Sequence, residues 1–140
     1  MESTVLGSLV TQLPTVMGVT LFKLAFIGFM AGIVSGASLG LFFHNEEWLG
    51  GYNSFRRRLW RLGHISFFGI GIVNLLIALS YPHLAGVNFT VVTIGMLVAT
   101  ITMPLMCLLS GWKKPFRHFF FIPVLGFATG VGTILFQMGS

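Results

Sequence analysis

Four apolar runs leave this chain few ways to fold, because each has about the 20 residues that an α-helix needs to cross roughly 30 Å of bilayer hydrocarbon. They are residues 22–43 (FKLAFIGFMAGIVSGASLGLFF), 62–81 (LGHISFFGIGIVNLLIALSY), 87–111 (VNFTVVTIGMLVATITMPLMCLLSG) and 118–137 (HFFFIPVLGFATGVGTILFQ). They are too long and too uniformly apolar for the alternating strands of a membrane barrel. A soluble domain covers its surface with about a quarter charged residues; here 8% are charged and the mean hydropathy is +0.92. The sequence therefore predicts an all-α integral membrane protein, a four-transmembrane-helix bundle forming a single membrane domain over residues 1–140. Residues 1–21, mildly apolar and interrupted by Pro14, are expected as an interfacial or extra-membrane segment.

The charge is placed as unevenly as the hydropathy. Arg56, Arg57, Arg58 and Arg61 fall in the connector 44–61, and Lys113, Lys114 and Arg117 in the connector 112–117; only Lys23 lies elsewhere. Short loops rich in Lys and Arg stay on the cytoplasmic side. Connectors 44–61 and 112–117 are thus predicted in the cytoplasm, with both termini outside, in a multi-pass protein of the cell membrane. The same seven cations are the expected contacts for lipid headgroup phosphates. Phe55, Leu59 and Leu62 share one helical face while Arg57, Arg58 and Arg61 lie on another. That pattern predicts a stretch lying in the headgroup layer with Trp60 at the interface. Cations confined to two connectors do not make a nucleic-acid-binding face, so membrane lipids are the expected partners and nucleic acid is not. Cys107, the lone cysteine, can form no intrachain disulfide.

Gly28, Gly32, Gly36 and Gly40 recur every fourth residue and so form one stripe on the first helix. In lipid such a stripe lets another helix approach to backbone contact. It predicts a packing face for a helix of this chain or for another membrane-protein subunit. Gly126 and Gly130 form a shorter ladder on the last helix. Asn74 lies mid-span, where an unpaired amide is costly. It should point inward toward Thr100, Thr129, Thr133, Ser35 or Ser38.

The histidines are the candidates for cofactor chemistry. His44, His64 and His118 share the basic lip, and His83 lies about 28 Å away on the other. His64 with His118 or His44 could hold a b-type haem, the glycines giving the ring space. Against this, all sit at boundaries, where an amphipathic ring is at ease, and none shows ligand spacing. No metal site is expected. Glu46 and Glu47 are adjacent, and on a helix would diverge by about 100°. With no nucleophile beside a base, no phosphate loop and no charge inside the spans apart from their edges, no catalytic residue is expected and the chain should not be an enzyme. The layout, though not any motif, resembles the small four-helix membrane subunits of respiratory and photosynthetic assemblies, some of which bind haem b. The expected function is a non-catalytic, lipid-anchored subunit packed against a larger electron-transfer complex. The alternatives are a haem- or metal-binding redox subunit at the lip histidines, and a small oligomeric channel or carrier.

Overall fold

Backbone groups in hydrocarbon have no water to pair with, so each apolar run closes its hydrogen bonds within a helix. A computed structural model describes residues 2–138, with side chains from residue 15 onward, as α1 (Glu2–Leu41), α2 (Phe55–Ser80), α3 (Phe89–Trp112) and α4 (Phe121–Met138). Four segments, Thr15–Leu41, Phe55–His83, Phe89–Trp112 and Lys114–Met138, are long and apolar enough to cross a bilayer. The protein is an all-α, multi-pass four-helix membrane bundle.

The helix starts have local causes. The Ser54 hydroxyl accepts from the Arg57 amide at 3.1 Å and donates to the Leu49 carbonyl at 2.7 Å. This cap begins α2 at Phe55, seven residues before the predicted 62, so the arginines form its first turns. Asn88 caps α3 in the same way, accepting from the Val91 amide at 3.3 Å. Its own amide donates to Gln137 Oε1 at 2.7 Å, tying the start of α3 to the end of α4. Prolines do not end these helices: α1 continues through position 14, and α3 through Pro104. Stopping there would leave a whole turn of carbonyls and amides unpaired in lipid, whereas one proline frees far fewer. Residues 2–21 thus share a helix with the first span. The side chains through Pro14, on which the interfacial reading depends, lie outside the described residues.

In the packing, α2 lies against α1 and α3, α1 also reaches α3, and α4 packs on α3. The core is Leu21, Ile70, Ile77, Leu84, Phe89, Val92, Met96 and Ala99. Two glycine crossings set the helix separations. In the first, a Cβ on Gly28 would stand 3.2 Å from the Phe67 carbonyl oxygen, and one on Gly32 would stand 2.6 Å from the Phe68 ring. In the second, a Cβ on Gly95 would stand 2.7 Å from both the Gly126 oxygen and the Gly130 nitrogen. The stripe on α1 expected to take a helix of this chain or another subunit is therefore filled by α2 at Gly28, Gly32 and Gly36. Of the four stripe glycines, only Gly40 has open space where a Cβ would stand.

Candidate functional site

The basic lip is built around a tight connector. Leu49, Gly50 and Gly51 follow one another at φ values of 57°, 88° and 87°, a left-handed run that turns the chain sharply. Such a conformation is strained for leucine; the Ser54 hydroxyl on its carbonyl helps to hold it. The turn brings Phe43, Trp48 and Tyr52 around one cation. The Arg57 guanidinium carbon stands 5.3, 5.8 and 5.5 Å from these three ring centres, and Nη1 donates to the Glu46 carbonyl at 3.3 Å. Arg57 is only 4% exposed. Arg61 lies over Tyr52 at 4.6 Å.

This corrects the amphipathic reading of the segment. Arg57 turns inward, with Leu59 buried beside it, whereas Phe55 and Leu62 stay exposed as an apolar face in a headgroup layer would. The cause is the aromatic set on the preceding connector, whose ring faces attract a cation and replace part of its lost hydration. Arg57 is consequently removed from the lipid contacts. Arg56, Arg58, Lys113, Lys114 and Arg117 are exposed, with Arg56 Nε donating to the Gly111 carbonyl at 3.0 Å.

Beneath this lip lies a cavity of about 220 Å³ lined by Ser35, Ser38, Leu39, Phe42, Trp48, Trp60, His64, Phe67 and Leu108. His64 is its most polar wall. Its Nδ1 stands 3.1 Å from the Ser35 hydroxyl, which also donates to the Gly32 carbonyl at 3.0 Å. Gly36 lets the ring in, since a Cβ there would stand 2.6 Å from Cε1. Phe68 meets the imidazole edge-on at a centroid distance of 5.4 Å. The three lip histidines are not drawn together: His64 is half-buried in the cavity wall, His44 and His118 are exposed, and neither lines this cavity. Among the described residues, no three His, Cys, Asp or Glu side chains converge to hold a metal.

Sequence reasoning reached His64 but missed Ser35 and the rings as its companions. The signal was present in Ser35 and Gly36, adjacent residues that offer a hydroxyl and a gap on the helix facing α2. Phe43, Trp48 and Tyr52, crowded into one short connector, were the corresponding signal for Arg57.

Deeper in the bundle, Asn74 is fully buried and donates from Nδ2 to the Thr100 hydroxyl at 2.9 Å. That hydroxyl donates in turn to the Met96 carbonyl at 2.6 Å. Among the described residues, Asn74 Oδ1 is buried without a partner. Thr100→Val would orphan the Nδ2 end of the amide as well, and is expected to cost about 1–2 kcal/mol in detergent unfolding. Asn74→Leu removes the orphan together with the bond and should cost less than half as much. The reverse order would mean that Asn74 holds something other than Thr100.

Comparison of the chain with protein families, with curated proteins and with solved structures finds no match to any of the three.

Proposed function

We propose that this chain is a non-catalytic subunit of a larger electron-transfer assembly in the cell membrane, docked through α4 and anchored by its basic lip on the cytoplasmic side. The carrying observation is a second small-residue ridge on α4. Gly126 and Gly130 are used against α3, but Ala128 is exposed and Gly132 has nothing within 4 Å of where its Cβ would stand. Thr129 is exposed beside them. Lipid gains nothing from a groove of this kind, whereas a second helix gains close backbone contact. The exposed lip cations supply the anchor, since short connectors rich in Lys and Arg remain cytoplasmic and attract anionic headgroups.

Purification in a mild detergent is expected to yield other chains in fixed stoichiometry, and Gly132→Leu to lower their retention at least tenfold. A wild-type chain that migrates alone at 15.3 kDa plus its detergent, or a Gly132→Leu chain that keeps its partners as the wild type does, removes the reading. For orientation, maleimide should label His83→Cys in intact cells and Asn53→Cys only after permeabilisation. The opposite labelling would invert the topology.

A further inference from the structure

We propose that the lip cavity binds the ring of a lipid-soluble hydroquinone, one ring hydroxyl donating to Nε2 of His64 and the isoprenoid tail lying between α1 and α3. The inference rests on the electron-transfer reading and names its ligand class.

The hydrogen-bond pattern around His64 sets the chemistry. A serine hydroxyl carries one proton, and Ser35 stands 3.0 Å from the Gly32 carbonyl and 3.1 Å from Nδ1. A carbonyl can only accept, so the hydroxyl proton goes to Gly32. The bond to the imidazole is then completed by a proton on Nδ1. In the neutral ring this assigns Nε2 as an acceptor, and no described residue donates to it. His64, a lining residue of the cavity, thus carries an acceptor suited to a hydroxyl donor.

The rest of the lining narrows the ligand. Its residues include no Lys, Arg, Asp or Glu, so a phosphate or carboxylate would lose hydration without gaining a counter-charge. Arg57, at the same lip, is committed to its three rings. Phe42, Trp48, Trp60 and Phe67 offer faces and edges to a planar ring. About 220 Å³ is below the roughly 300–1,000 Å³ that takes a whole drug-sized ligand. The space suits one ring with its tail elsewhere. A trough of about 460 Å³, lined by Leu24, Ile27, Ala31, Ile101 and Leu105 among others, shares Phe67 and Leu108 with the lining of the cavity. Its walls are almost wholly apolar, as an isoprenoid tail requires.

The test uses the full chain in detergent with Trp112→Phe, so that emission comes from Trp48 and Trp60 alone. It is titrated with a ubiquinol bearing one isoprenyl unit, kept reduced. Saturable quenching is expected, and the dimethyl ether of the same quinol, which has no hydroxyl to donate, should bind on the order of tenfold more weakly. His64→Leu should abolish saturation. Ser38→Phe, which fills the cavity from an exposed rim position and leaves His64 in place, should do the same with helicity unchanged. Quenching that stays linear in every variant, an ether that binds as tightly as the quinol, or displacement by equimolar oleate or phosphatidylglycerol would overturn the proposal. So would a Soret band in the purified chain that disappears in His64→Ala, because haem would then hold this histidine. Partner chains retained without quinol binding would overturn this inference alone; quinol bound without partner chains would overturn the subunit reading alone.

Discussion

Gly95→Ala is expected to be among the most damaging single-methyl additions to this protein, costing about 2–3 kcal/mol in thermal or denaturant unfolding in detergent. The new Cβ would stand 2.7 Å from the Gly126 oxygen and the Gly130 nitrogen, and 3.1 Å from the Gly130 Cα. These are backbone atoms of an opposing helix, so no rotamer change relieves the clash and α3 and α4 must separate. Separation is costly because close packing, without a hydrophobic drive, is what holds helices together in lipid. Gly126→Ala meets the Gly95 oxygen at 2.9 Å and the Ala99 nitrogen at 3.1 Å. It should be nearly as harmful, and the double substitution should cost clearly less than the sum, since one displacement relieves both contacts. Gly132→Ala, on the same helix with open space at its Cβ, is the control and should change unfolding by only a few tenths of a kcal/mol. Equal effects at Gly95 and Gly132 would show that helix propensity, rather than this crossing, sets the response.

The second large effect is expected at Arg57. Arg57→Gln removes a cation in contact with three rings and the donor to the Glu46 carbonyl. Desolvated cation–π contacts contribute up to about 2 kcal/mol each, and the cost of burying the guanidinium offsets part of their sum. A net loss of about 2 kcal/mol should appear locally, as opening of the connector between α1 and α2. That corresponds to roughly thirtyfold more open connector. A protease cutting after glutamate should therefore cleave at Glu46 and Glu47 roughly thirtyfold faster in Arg57→Gln. Arg58→Gln, at an exposed neighbour, should leave the rate unchanged. Arg57→Lys should not restore protection, because an ammonium lacks the planar face that a guanidinium sets against rings. Equal cleavage in Arg57→Gln and Arg58→Gln would remove the cage from the account of this lip.

The two effects differ in how visible their causes are in the chain. The ladder of Gly126 and Gly130 is legible as a packing face, yet its partner Gly95 is an isolated glycine among β-branched and aliphatic residues. It acquires meaning only when α4 is laid across it. At the lip, periodicity groups Phe55 with Leu59 and Arg57 with Arg58 and Arg61, but the structure splits both groups, burying Leu59 and Arg57 and exposing Phe55 and Arg58. The aromatic residues on the connector decide that, against the usual rule that charge faces out. His64 shows the same limit: its boundary position can be read directly, whereas the hydroxyl 3.1 Å from its Nδ1 lies 29 residues away on another helix.

By itself the sequence determined that the chain crosses a membrane four times, where the spans fall to within several residues, and which connectors carry the cations. Those properties follow from local hydropathy and length, because a bilayer tests each segment separately against the cost of exposing polar backbone to hydrocarbon. Only the tertiary structure decided that α2 fills the glycine stripe of α1, that Arg57 is buried while its neighbours stay exposed, and that His64 opens onto a cavity. Those outcomes depend on which side chains meet across helices, and the physical reason is geometric: contacts of a few ångströms are made between residues far apart in the chain, where composition and period carry no information.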